Sequence, residues 1–149
     1  MAANYQKRSS SETEPSADPG QATFKIVIVC GTSQPILDIY RIFFDDADKC
    51  CHHTGDFVDA LRASRHFLRC IVFVDQDELT DEGRAQLRIR TALGTDLRVI
   101  LLVRDASLAR LADLLQLGFA GFLQHDSSAE TIRKAVERVA QGELWPAGS

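Results

Sequence analysis

The stretch IVFVDQDELTDEG, residues 71–83, decides how the rest of the chain is read. Its first half is an apolar, β-branched run that stops at Asp75, and its second half sets four more acids, Asp77, Glu78, Asp81 and Glu82, before Gly83. A short, nearly continuous apolar run suits a strand buried on both faces, as in the middle of a parallel sheet. In open α/β sheets ligands gather beyond the carboxyl ends of the strands. An aspartate that closes such a strand therefore stands where a working group would stand.

Three more runs have the same character: FKIVIVC (24–30), LRVILLV (97–103) and GFLQ (121–124). Segments with a helical period lie between them. PILDIYRIFF (35–44) begins with Pro35, suited to a first helical turn, and sets Ile36, Ile39, Tyr40 and Phe43 along one face. GDFVDALRASRHF (55–67) groups Phe57, Ala60 and Leu61 behind Asp56 as a cap, and EGRAQLRIRTAL (82–93) stops before Gly94. SLARLADLLQLG (107–118) runs from Ser107, a capping residue, to Gly118, a natural stop. SSAETIRKAVERVAQG (127–142) opens on Ser127 or Ser128 and repeats apolar residues at 132, 135, 136, 139 and 140. One strand is still required after the first helix, and KCCHH (49–53) supplies it as a short edge strand. Five strand–helix units joined by right-handed crossovers predict a flavodoxin-like, doubly wound α/β fold with a five-stranded parallel sheet in the order 2-1-3-4-5.

The 149 residues suit one domain behind a tail. Residues 1–22, rich in Ser, Glu, Pro and Ala, are expected to be a disordered N-terminal tail, residues 23–142 the domain, and 143–149 an exit or linker segment. A hydrophobic share of 45% with 26% charged residues excludes wholesale disorder, and no apolar run reaches the length of a membrane span. The first residues carry no apolar signal core, so a cytoplasmic protein without membrane contact is expected. A net charge of −4 argues against a nucleic-acid surface, so DNA would be reached only through a domain absent from this chain. Cys30, Cys50, Cys51 and Cys70 have no paired metal spacing and read as reduced, mostly buried thiols. In Cys50-Cys51-His52-His53 alternate residues of a strand point to opposite faces, so at most two of the four converge. Arg62, Arg65, His66 and Arg69 make a modest basic patch, and Trp145 either packs under the last helix or meets a neighbour.

Over residues 24–141 the chain resembles the receiver domains of bacterial two-component response regulators. The resemblance rests on the VFVD strand ending at Asp75, on Gly83 eight residues later, and on GFLQHDSSAETIRKAVERVAQGELW. That ending is similar to the LuxR/FixJ-type DNA-binding regulators, although here Pro146-Ala147-Gly148-Ser149 follows in place of a helix-turn-helix. The resemblance puts Asp75 at the phosphoacceptor position. Transfer to an aspartate also needs Mg²⁺, a cation and a hydroxyl around the phosphoryl group. The family's acidic metal pair falls at Cys30-Gly31-Thr32-Ser33-Gln34, its hydroxyl at Val103, its lysine at His125 and its proline at Leu79. Phe122 takes the place of the switch aromatic.

With Asp75 alone kept, the resemblance implies a degenerate, or pseudo-, receiver. Such a module is non-enzymatic, needs no cofactor, and regulates transcription or a partner through protein contact or homodimerisation, using the first and fifth helices or the fourth-to-fifth-helix face. Two rivals make distinct demands. A genuine phosphoacceptor would need Mg²⁺, with Asp75 and Asp77 as the alternative ligands. A small-ligand sensor would need an open pocket lined by Cys30, Gly31, Val103 and His125.

Overall fold

The computed structural model describes residues 24–94, 96–104, 113 and 116–146. The expected tail at 1–22 and most of the helix expected at 107–118 lie outside the described residues. In chain order the elements are β1 (Ile26–Cys30), α1 (Gln34–Phe44), β2 (Cys50–Thr54), α2 (Phe57–Ser64), β3 (Cys70–Asp75), a 3-10 turn (Gln76–Glu78), α3 (Asp81–Ala92), β4 (Leu97–Val103), β5 (Gly121–Gln124) and α4 (Ala129–Ala140). The five strands pair in parallel in the order β2-β1-β3-β4-β5, the expected flavodoxin-like arrangement.

All six residues of β3 are buried, as a central strand demands. Side-chain alternation divides the sheet between two cores. On one face Val27, Val29, Ile71, Phe73, Ile100 and Leu102 pack under Ile36, Ile39 and Phe43 of α1 and Ile132, Ala135, Val136 and Val139 of α4. On the other Ile28, Cys30, Val72, Val74, Leu101 and Val103 meet Phe57 and Leu61 of α2 and Leu87 of α3. Burying one large side chain of this kind is worth about 1.5–3 kcal/mol. The same alternation puts Asp75 in series with Ile71 and Phe73, and so on the α1–α4 face.

Local chemistry sets the helix starts. Asp56 accepts from the Asp59 amide at 2.8 Å, Thr80 from that of Gly83 at 3.0 Å, and Ser128 from that of Thr131 at 3.1 Å. Each such cap contributes about 1 kcal/mol. Gly83 is set by packing: a Cβ there would lie 2.6 Å from Cδ2 of Phe57, so α3 approaches α2 more closely than any side chain would permit.

The chain exit is docked. The Trp145 amide donates to the Ala120 carbonyl at 3.1 Å and the Phe122 amide to the Trp145 carbonyl at 3.0 Å, so Trp145 bridges to Gly121 on the outer edge of β5. Its half-buried ring packs against the α1–α4 core, as the first of the two readings of this residue expects.

Candidate functional site

β3 runs one residue past its last partner in β1, and Asp75, paired in register with Leu102, stands at its carboxyl end. The side chain is only 1% exposed, so its carboxyl is held by protein groups. The Ser33 hydroxyl donates to Asp75 Oδ2 at 2.8 Å, and the Asp77 amide donates to Oδ1 at 3.0 Å. His125 Nε2 lies 3.0 Å from the same Oδ2. That contact is at ion-pair distance but out of line for a hydrogen bond, and the buried Nε2 has no hydrogen-bond partner among the described residues. A buried carboxylate without donors would cost several kcal/mol, and these two short bonds offset part of that.

Ser33 is the residue that sequence reasoning passed over. It lies at the N-cap of α1, where a serine ordinarily accepts from the backbone two or three residues on, yet its side chain makes no capping bond. Its hydroxyl is turned across to β3 instead. The signal in the sequence, a serine one residue before Gln34-Pro35, reads as a helix start, and only the sheet register brings it to Asp75.

The acids of the loop are engaged one by one. Asp77 pairs with the Arg104 guanidinium, and the Arg104 amide donates to Gln76 Oε1 at 2.7 Å, so the ends of β3 and β4 are laced together. Hydrogen bonding to Asp77, with charge attraction behind it, raises the Arg104 pKa above its ordinary value. The Glu78 side chain lies over Gly31, where an added Cβ would come within 3.1 Å of its Cγ; Gly31 itself has φ +121°, a conformation that glycine tolerates. Asp81 and Glu82 occupy the first turn of α3, where the helix dipole favours them. Asp75 is thus engaged by the Ser33 hydroxyl, and Asp77 by Arg104 in a half-exposed ion pair. Among the described residues, no group of three or more Asp, Glu, His or Cys side chains converges as a metal site.

The four positions expected to line one pocket separate. His125 reaches Asp75. Cys30 and Val103 point to the opposite core, 0% and 4% exposed, because each is one residue out of step with the Asp75 face. Burial pushes the Cys30 thiol up to about 12, against a lowering hydrogen bond with Thr54. Gly31 contributes its carbonyl to His53 Nε2 at 2.7 Å. Phe122 is half-buried against the α2–α3 core, and Leu79 packs against the same core. The basic patch is divided, since Arg62 pairs with Asp59 at 2.7 Å and Arg69 with Asp96 at 3.2 Å.

No protein-family model matches the chain, and no curated protein matches it in sequence. Solved structures do match in three dimensions. The signal receiver domain of the response regulator NarL from Mycobacterium tuberculosis superposes with a TM-score of 0.69 at 22% identity, over 82% of this chain and 100% of that one. A LuxR-family two-component response regulator from an Aurantimonas species gives 0.68 at 17%, over 83% and 89%. The fold is that of a response-regulator receiver domain. A pilus assembly-related protein from Burkholderia pseudomallei is also similar, with a TM-score of 0.65 at 18% identity over 88% and 98%. One fold thus serves proteins of differing description, and function has to be argued from the site. Among the described residues, no helix is long and apolar enough to cross a membrane.

Proposed function

We propose that this chain is a receiver-type signalling module of the cytoplasm that works by protein contact, with itself or a partner, and without conventional phosphorylation of Asp75. It carries out no catalysis of its own and requires no cofactor. Regulation of transcription would pass through a partner or a DNA-binding domain outside this chain. The observation that supports this reading is the closed state of the strand-end site. Asp75 is buried and held by Ser33 and Asp77, in a place where phosphoryl transfer needs an open carboxylate beside a metal. No acid stands near enough in sequence to Ser33 to replace the family's metal pair, and Asp77 is taken by Arg104. The ligand-sensing alternative is disfavoured, because Cys30 and Val103 are closed inside the far core.

The test is a titration of Mg²⁺ and beryllofluoride into ¹⁵N-labelled protein, with Asp75→Asn as control. Unchanged amides around Asp75, Leu102 and His125 are expected. Saturable shifts that vanish in Asp75→Asn would mean that the site opens to a phosphoryl mimic, and the phosphoacceptor reading would replace this one.

A further inference from the structure

The edge strand β2 carries a pair of side chains that the receiver fold does not use. Cys51 and His53 turn toward α1, where Cys51 joins the core margin and the His53 ring meets Tyr40 with centroids 5.8 Å apart. Cys50 and His52 turn to the other face. Both are exposed, Cys50 is a free thiol, and its Sγ lies in hydrogen-bond reach of His52 Nε2, 3.7 Å away. The His52 ring rests against Phe67 with centroids 5.4 Å apart.

That separation has a chemical meaning. With Zn–S about 2.3 Å and Zn–N about 2.0–2.1 Å, two ligands of a tetrahedral ion stand about 3.5 Å apart. The observed spacing is already close to a tetrahedral bite, and far from the roughly 3.1 Å that a right-angle, square-planar ion would ask of the same bonds. Thiolate with imidazole selects a borderline or soft cation and not Mg²⁺ or Ca²⁺. Two ligands make half of a closed tetrahedral set. The other half has an evident source: β2 is the outermost strand, and among the described residues no strand pairs with its outer edge. A two-fold axis normal to the sheet joins two such edges in antiparallel fashion without exchanging their faces. With the axis at Cys51, Cys50 of one copy faces His52 of the other, at about 4.5–5.5 Å between Cβ atoms.

We infer that Cys50 and His52 form half of a zinc-class metal site, completed by the same pair of a second copy across the open β2 edge. Each Cys50 thiol loses its proton to the solvent as its sulfur binds the cation, and each neutral His52 binds through Nε2. The ion is bound without any change of redox state. This site lies on the far edge of the sheet from β5 and does not depend on whether Asp75 is ever phosphorylated.

The experiment titrates Co²⁺ and then Zn²⁺ into the full 149-residue chain, reduced with a phosphine that does not chelate, and reads visible absorption and mass by light scattering. Expected are thiolate-to-cobalt charge transfer with tetrahedral d–d bands, saturation at one ion per two chains, displacement by Zn²⁺, and conversion of monomer to dimer. Cys50→Ser and His52→Gln should lose all of this with unchanged far-UV circular dichroism, since both side chains are exposed, while His66→Gln retains it. Absence of tetrahedral cobalt bands, or bands that persist in Cys50→Ser, would overturn the site. Saturation at one ion per chain in a monomer would overturn its completion by a second copy.

Discussion

Replacing Ser33 by alanine should destabilise the fold by about 2 kcal/mol, more than a surface serine would. The bond from its hydroxyl to Asp75 Oδ2 is 2.8 Å long and partly buried, and its acceptor is a carboxyl at 1% exposure. A hydrogen bond to a charged group is worth about 1.5–3 kcal/mol, and a buried acceptor left unsatisfied costs a similar amount. For a domain of this size that corresponds to a fall in Tm of about 6–8 °C. The competing explanation, a lost helix cap, is testable because the Ser33 side chain makes no capping bond. The assay is a double-mutant cycle in urea with Ser33→Ala, Asp75→Ala and the pair. If Ser33 acts through Asp75, its replacement costs little once Asp75 is alanine, leaving a coupling of about 1–2 kcal/mol. A Ser33→Ala cost that is the same in both backgrounds would refute the reasoning and return Ser33 to the role of an ordinary helix start.

Other outcomes follow from the packing and the thiols. Gly121→Val would put a Cβ 2.7 Å from the Trp145 carbonyl oxygen, so the exit segment should leave the β5 edge and the single tryptophan should shift to the red in fluorescence. Gly83→Ala meets Cδ2 of Phe57 at 2.6 Å and should cost about 1–3 kcal/mol by overpacking, seen as a lower urea midpoint. Burial pushes the thiols of Cys30, Cys51 and Cys70 up to about 12, from an ordinary 9.0. At pH 8 a thiol reagent should therefore label native protein chiefly at exposed Cys50, as peptide mapping would reveal. The same shifts set a sign for stability. Above pH 9 the unfolded chain releases thiol protons that the folded chain keeps, so stability is intact below about pH 9 and falls as the pH rises from there toward 12; replacing Cys70 with alanine should flatten part of that decline.

Much of the fold was legible because its signals are local. β4 and β5 coincide with the apolar runs at 97–103 and 121–124, and Asp56 and Ser128 cap as their positions suggest. Even the weak strand at 50–54 was found, since the topology required it and its half-polar character suits an edge. The site was less legible, for a reason of geometry. A gap in a motif names what is missing at a position, but the side chain that fills the space arrives from elsewhere. Ser33 acts 42 residues from Asp75, and Arg104 acts 27 from Asp77. The expectation of one pocket failed for a simpler cause. Cys30 and Val103 are near Asp75 in the sheet but one step out of phase, and a period of two sends them to the other face.

The acidic run after β3 can then be understood as a set of answered charges. Asp75 is capped by Ser33 and by the Asp77 amide, Asp77 faces Arg104, Glu78 covers Gly31, and Asp81 and Glu82 sit on a helix start. A receiver that gathers a cation needs its carboxylates to repel one another until the metal arrives, because that repulsion becomes the binding energy. Here the acids are answered by a hydroxyl, a guanidinium and a helix dipole, and on the proposed reading a metal would have to compete with those partners. Restoring metal affinity should therefore take more than one change. Ser33→Asp alone would set a second carboxylate against Asp75 while Arg104 still holds Asp77, whereas Ser33→Asp with Arg104→Ala frees all three acids. Isothermal titration with Mg²⁺ should show binding in the double variant and little in either single one. Equal binding by Ser33→Asp alone would mean that Arg104 was never a competitor for the site.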